Sequence, residues 1–193
     1  MAGKLNYSIF KGYPFIFKIN TMGEQRDLSG IEGIDKMRQI IEAEDICMFS
    51  TRMQQLPLDV RPMSTAGVDE EGNIWFMSRV DSTKNTDIQQ DKRVQLFYAN
   101  RNSSEYLSVY GEAGITKDRN KIEELWSPVN KAWFEKGKED PGITLICVKP
   151  LDVYYWDSKN NKMITLVKMV SAVLTGKEPN VGVEGKLHLN PQK

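Results

Sequence analysis

Three consecutive residues, Ser82, Thr83 and Lys84, combine two hydroxyl groups with an ammonium group at the predicted start of a helix. The backbone N–H groups in the first turn of a helix have no partner within the helix, and the positive end of the helix dipole points the same way. Ser82 is a residue type preferred at the N-cap. This combination of donors and positive charge suits a phosphate group.

Two predicted strands lead into this helix start, at residues 58–68 and 74–79, and an acidic turn containing Gly72 connects them. A pair of strands offers a flat wall for an aromatic ring beside the phosphate. The segment therefore predicts a site for a phosphorylated ring cofactor, with Arg61 and Lys84 as its cations. Simpler interpretations stay open here, because Lys84 is also compatible with a solvated helix start and Arg61 with a salt bridge on the strand surface.

The remaining pattern predicts a small antiparallel barrel with helices attached to it. A helical pattern begins at Gly33, with Ile34, Met37, Ile40 and Ile41 on one face. Strands are predicted at 46–52, 58–68, 74–79, 94–99, 106–116 and 143–156, and further helices at 82–91, 118–126 and 163–174. Short turns between strands favour a barrel over a doubly wound parallel sheet, which needs a helix after nearly every strand. The sequence has no dinucleotide-binding or Walker motif.

The composition argues against several other classes of protein. The 193 residues carry 26 basic and 26 acidic side chains, so no nucleic-acid or anionic-membrane surface is expected. No run approaches the roughly 18 apolar residues that span a bilayer, and the predicted location is the cytoplasm. Cys47 and Cys147 lie in apolar runs and are expected to be buried and reduced. The single histidine, His188, leaves little material for a metal site.

Several short motifs follow one another along the chain: R-P-M at 61–63, W-F-M-S at 75–78, S-T-K at 82–84, G-E-A at 111–113, L-W-S-P at 125–128, D-P-G at 140–142 and Y-Y-W-D at 154–157. In their order and spacing they resemble the pyridoxamine 5′-phosphate oxidase-like flavoproteins, most closely the bacterial general stress proteins of that superfamily. The resemblance implies an α+β fold that is mainly antiparallel β, namely the six-stranded FMN-binding split β-barrel with peripheral helices. It covers residues 32–157, which leaves an N-terminal extension at 1–31 and a C-terminal helix with a polar tail at 158–193.

The resemblance also implies a set of FMN-binding residues: Arg61, Pro62, Met63, Met77, Ser78, Ser82, Thr83, Lys84, Tyr106 and Trp156. Arg61 and the S-T-K segment would bind the ribityl phosphate, while the strand residues would face the isoalloxazine ring. Tyr106 falls near a position that touches the ring from the partner subunit, and Trp156 near a late aromatic position. Thr83 stands where related oxidases often carry an arginine, so weaker phosphate binding is expected.

The same resemblance implies a homodimer with each FMN in a groove between subunits, and an FMN-dependent oxidoreductase acting on an unidentified small substrate. No catalytic side chain or metal is expected, because a flavin performs hydride or one-electron chemistry by itself. Two alternatives stay open: a flavin-binding carrier or sensor without efficient turnover, and a split-barrel protein that binds haem, a deazaflavin or no ligand. The tail segment Lys186-Leu187-His188 echoes the product-binding motif of the true oxidases only faintly, so vitamin B6 oxidation is not inferred.

Overall fold

The structure is a computed structural model that describes residues 24–157 and 182–189. The α-helices in these residues are α1 at Gly30–Ala43, α2 at Thr83–Gln90 and α3 at Arg119–Leu125. Short 3-10 helices follow at Pro128–Ala132 and Gly137–Glu139. The strands are β1 (Glu24–Gln25), β2 (Leu28–Ser29), β3 (Ile46–Thr51), β4 (Asp59–Val68), β5 (Ile74–Arg79), β6 (Arg93–Asn100), β7 (Glu105–Thr116), β8 (Ile143–Asp157) and β9 (Val183–His188).

Six of these strands close into an antiparallel barrel. The order around the barrel is β8-β5-β4-β3-β6-β7, and β7 pairs again with β8 to complete the ring. Strand β8 is 15 residues long, and it pairs with β7 along one edge and with β5 and then β9 along the other. The predicted α+β fold with a six-stranded split barrel and peripheral helices is confirmed.

Alternating residues of the barrel strands fill its interior. Phe49 and Phe76 meet there edge to face, with ring centroids 5.2 Å apart and ring planes at 90°. Helix α1 packs its apolar face into the same cluster through Met37, Ile40 and Ile41. Burial of each such side chain contributes about 1.5–3 kcal/mol, which is enough to hold the helix on the barrel. The predicted helical period is confirmed, although the helix begins earlier, at Gly30.

A second, smaller apolar cluster covers the outer face of β5 and β8. It joins Ile122 of α3 to Phe134 and to Leu145 of β8, and Trp126 packs beside Phe134 with ring centroids 6.3 Å apart. The segment between α3 and β8 is therefore fastened to the barrel wall. Trp133 in the same segment remains 60% exposed.

Both ends of the described chain join the sheet. Strand β9 pairs antiparallel with β8 and parallel with β1 and β2. Residues 24–25, 28–29 and 183–188, which lie in the predicted N-terminal extension and polar tail, thus contribute strands to the sheet. Such short strands gain their hydrogen bonds from distant residues, so no local pattern reveals them. The helix predicted at 163–174 lies outside the described residues.

The N-terminal segment crosses β9 closely at Gly185. A Cβ atom at Gly185 would lie 2.2 Å from the carbonyl oxygen of Arg26, which is closer than any side chain permits. The hydroxyl of Tyr155 on β8 donates to the same oxygen at 2.8 Å. The crossing therefore requires glycine. Within residues 24–157 and 182–189, no helix has the length and apolar character needed to cross a membrane.

Candidate functional site

Arg61 of β4 meets Thr51 of β3 and Asp87 of α2 in a group of side chains between the barrel and α2. The Nη1 atom of Arg61 donates to Thr51 Oγ1 at 2.7 Å, and Nη2 lies 3.4 Å from Asp87 Oδ2. Thr51 Oγ1 donates in turn to Asp87 Oδ2 at 2.7 Å. A guanidinium group has five N–H donors. These contacts use two of them, and the others have no acceptor among the described residues.

Lys84 lies in the first turn of α2 and is half-buried. Burial and the positive charge of Arg61 lower the pKa of Lys84, while Asp81 acts in the opposite direction. Among the residues that the structure describes, no carboxylate lies within 4.0 Å of its ammonium group. Arg61 and Lys84 are thus two partly buried cations that repel each other. Among the described residues, Asp87 is the one carboxylate that forms an ion pair with this couple, and it does so with Arg61. An added anion would relieve their repulsion, so these residues fit a phosphate group.

At the start of α2 the backbone N–H groups of Ser82 and Asn85 donate to the carbonyl oxygens of Arg79 and Ser82, each at 3.0 Å. Those of Thr83 and Lys84 have no acceptor among the described residues. Ser82 occupies the N-cap position, as predicted, but its side chain makes no capping hydrogen bond. Its hydroxyl lies instead 3.0 Å from the hydroxyl of Ser78. Thr83 is the first residue of the helix and is exposed. An anion placed at this helix start would meet unpaired N–H groups beside Lys84.

A buried network of polar side chains attaches α2 to the barrel wall. Asn85 Oδ1 accepts from the hydroxyl of Ser78 at 2.8 Å, and its Nδ2 donates to Thr144 Oγ1 and to the carbonyl of Arg79, each at 3.0 Å. Ser78, Asn85 and Thr144 are each at most 3% exposed. Buried polar groups are stable only when paired, and here they fix the helix that carries Lys84. The hydroxyl of Ser78 therefore serves this network in the structure.

The remaining strand residues of the predicted site point in different directions. Arg61 and Met63 lie on one face of β4 and Pro62 on the other, because side chains alternate along a strand. Met63 is buried in the main core, and Pro62 is exposed. Met77 belongs to the smaller apolar cluster, where its sulfur accepts from the side chain of Asn130.

Tyr106 and Trp156 are neighbours of each other but not of the Arg61 group. They are register partners on β7 and β8, and strands β3 and β6 separate β7 from β4. The two residues are 41% and 40% exposed. Met48 and Phe97, which pair across β3 and β6, lie exposed on the same outer face. We call these four residues the outer aromatic face.

Sequence reasoning missed four residues that hold this site together: Thr51, Asn85, Asp87 and Thr144. A signal existed for Asn85, since it lies three residues before Ile88 and shares the buried side of α2. No comparable signal existed for Thr51 or Thr144. Their roles depend on which strand lies under α2, and that is decided by the closed barrel.

The cysteines do not contribute reactive groups to the site. Cys47 is buried and Cys147 half-buried, and neither forms a disulfide. Burial raises the pKa of the Cys47 thiol to about 12 and that of Cys147 to about 11. Both therefore remain thiols at neutral pH. The predicted burial is confirmed for Cys47. In the described part of the chain, no group of three metal-ligating side chains occurs.

Comparison with known proteins decides the family. The family model described as "Pyridoxamine 5′-phosphate oxidase like" matches residues 32–180. The chain belongs to this family. Among curated proteins, protein bli-3 of Neurospora crassa is 27% identical over 158 residues, which are 77% of this chain and 76% of that protein.

Solved structures show the same fold for the pyridoxamine 5′-phosphate oxidase-like chain. General stress protein 26 from Jannaschia sp. CCS1 matches with a TM-score of 0.67 at 21% identity, covering 83% of this chain and 100% of that one. The general stress FMN/FAD binding protein from Xanthomonas citri matches with a TM-score of 0.59 at 22% identity, covering 67% and 92%. Both Arg61 and α2 lie inside the range that the family model matches.

Proposed function

We propose that this protein binds FMN between two identical subunits and acts as an oxidoreductase on a small substrate. The observation that carries the proposal is the position of Lys84. It lies half-buried at a helix start beside Arg61 and has no carboxylate partner within 4.0 Å among the described residues. A cation in this setting is destabilised unless an anion is present.

The terminal phosphate of FMN supplies the missing charge. A phosphate monoester carries about −1.5 to −2 at neutral pH, with a second pKa of about 6. Arg61, Lys84, the hydroxyl of Thr83 and the N–H groups at the start of α2 would hold it. The name of the related Xanthomonas citri protein, which refers to FMN and FAD binding, supports a flavin. When bound, the flavin supplies hydride or one-electron chemistry, and the chain binds and orients it.

The outer aromatic face supports the proposed dimer. Met48, Phe97, Tyr106 and Trp156 are each at least 40% exposed and lie on neighbouring strands. Contiguous exposed apolar surface of this kind marks interaction sites. In the proposed dimer a second copy covers this face, and Tyr106 and Trp156 line the groove beside the partner's flavin.

The test is an FMN titration followed by flavin fluorescence. Wild-type protein should quench the fluorescence at micromolar concentration, and Lys84→Ala should weaken binding about 10- to 100-fold, the effect of losing a hydrogen bond to a charged group. Lys186→Ala is the matched control, because Lys186 is an exposed lysine paired with Asp152 at 3.1 Å. Wild-type protein that leaves the fluorescence unchanged would contradict the proposal.

Two further measurements separate the parts of the proposal. Reductive titration with NADPH or NADH should bleach the flavin absorbance. A flavin that stays oxidised would favour a carrier or sensor over an enzyme. Sedimentation of the purified protein should give the mass of a dimer, and a monomer at micromolar concentration would contradict the shared groove.

A further inference from the structure

We propose that Asp87 and Thr51 are positioning residues that hold the guanidinium group of Arg61 in place for the phosphate. The inference rests on the proposed function, since it concerns the same anion site. It assigns roles to two side chains that contribute no positive charge. Asp87 is an acidic residue beside the proposed anion site. Because a carboxylate repels an anion, its presence there indicates a role other than direct binding.

The hydrogen bonds among the three side chains have a fixed direction. Arginine only donates and a carboxylate only accepts, so Thr51 must accept from Arg61 and give its own hydrogen to Asp87. Both of these bonds are 2.7 Å long. The contact of Arg61 Nη2 with Asp87 Oδ2, at 3.4 Å, closes the triangle. The hydroxyl of Thr51 therefore has one orientation, and it presents a lone pair to Arg61.

The triangle is shielded from water. Thr51 is 0% exposed as a residue, and the side chains of Asp87 and Arg61 are 13% and 23% exposed. Charge-assisted hydrogen bonds are strong in such surroundings. An arginine held in one rotamer loses less conformational entropy when it binds an anion. The triangle thus prepares Arg61 for binding.

Asp87 and Lys84 are three residues apart on α2. Asp87 contacts Arg61 through Nη2 and Thr51 contacts it through Nη1. The other N–H donors of the guanidinium group have no acceptor among the described residues. One helix carries both Lys84 and the residue that orients Arg61, which fixes the distance between the two cations.

The experiment measures FMN affinity in variants of the triangle. Asp87→Ala should weaken FMN binding about tenfold, and Thr51→Val, which keeps the shape of the side chain, should weaken it severalfold. Asp87→Asn keeps a hydrogen-bond acceptor, so it should lose less FMN affinity than Asp87→Ala. It replaces Asp87→Ala in the experiment if that variant folds poorly. Asp91→Ala is the control, since Asp91 ends the same helix and pairs with Arg93 instead.

A double-mutant cycle with Arg61→Ala distinguishes positioning from general stability. Once Arg61 is absent, Asp87→Ala should cause no further loss of FMN affinity. An equal loss in both backgrounds would overturn the inference, and so would an equal loss in Asp91→Ala. If wild-type protein binds FMN through Arg61 but Asp87→Ala binds as well as wild type, this inference alone fails. If wild-type protein does not bind FMN, the proposed function fails and takes the inference with it.

Discussion

Two groups of partly buried charged side chains in this molecule have opposite ratios of cations to carboxylates. In the first, Lys36 of α1 lies 3.2 Å from Glu105 and 2.6 Å from Asp157, so one cation meets two carboxylates. In the second, the two cations Arg61 and Lys84 lie near each other, and the carboxylate of Asp87 contacts Arg61 but is not within 4.0 Å of the ammonium group of Lys84. The first group is complete without a ligand, and the second has positive charge to spare.

The pKa values of the two lysines show the difference. Burial alone would lower the pKa of Lys36, but hydrogen bonds and charge from Asp157 and Glu105 raise it above the ordinary value. Burial and the charge of Arg61 lower the pKa of Lys84. Lys36, which joins parts of the fold, thus has acidic partners, whereas Lys84, the proposed phosphate ligand, has a cation as its neighbour.

The largest expected effect is the loss of stability when Lys36 is removed. Lys36→Met leaves Glu105 and Asp157 partly buried next to each other without a cation, so the free energy of unfolding should fall by about 2–3 kcal/mol. Urea denaturation measures this. Lys186→Met, which breaks an exposed pair, should cost at most about 0.5 kcal/mol. Similar losses in the two variants would show that burial of the Lys36 group is unimportant.

Lys84→Met should have a much smaller effect on stability. Because the substitution removes a cation that repels Arg61, the free energy of unfolding should stay unchanged or rise by up to about 1 kcal/mol. The same urea experiment, without FMN, tests this. A loss as large as that of Lys36→Met would mean that Lys84 serves the fold, and the contrast between the two groups would disappear.

The smallest expected effect is a difference in how Lys36 and Lys84 make the free energy of unfolding depend on pH. The folded-state pKa of Lys36 is above its unfolded value, so its contribution to stability is complete below that unfolded value, about 10.5, and is lost as pH rises through the folded value. The folded-state pKa of Lys84 is below its unfolded value, so charged Lys84 opposes folding, and stability rises with pH between the two values.

Under the proposed function, FMN binding needs the charged form of Lys84, because the phosphate group pairs with its ammonium group. The affinity for FMN should therefore begin to fall at a lower pH than the pH at which the stabilising contribution of Lys36 is lost. Fluorescence titrations from neutral pH to above about 10.5 measure this, with urea denaturation in the same buffers. In Lys84→Met the alkaline fall in affinity should be absent. The same fall in the variant would assign the effect to another group.

Elements with a strong local pattern could be predicted from the sequence. The apolar period of α1 and the alternation of β5 locate those elements, and the residue types of Ser82 and Lys84 locate the start of α2. The Arg61–Thr51–Asp87 triangle could not be predicted. It needs α2 to lie over the end of β3, and only the closed barrel brings them together. For the same reason the sequence did not reveal that Tyr106 and Trp156 pair directly across two strands.

Strand β9 also decides where this chain can be shortened. A polypeptide ended after Asp157 would leave residues 154–157 of β8 without their antiparallel neighbour on that side, and β1 and β2 without any partner described here. The unpaired N–H and C=O groups would then form an open sheet edge, which readily pairs with other molecules. A version cut at the last barrel strand would tend to self-associate through this edge, whereas one that retains Leu189 keeps the edge covered.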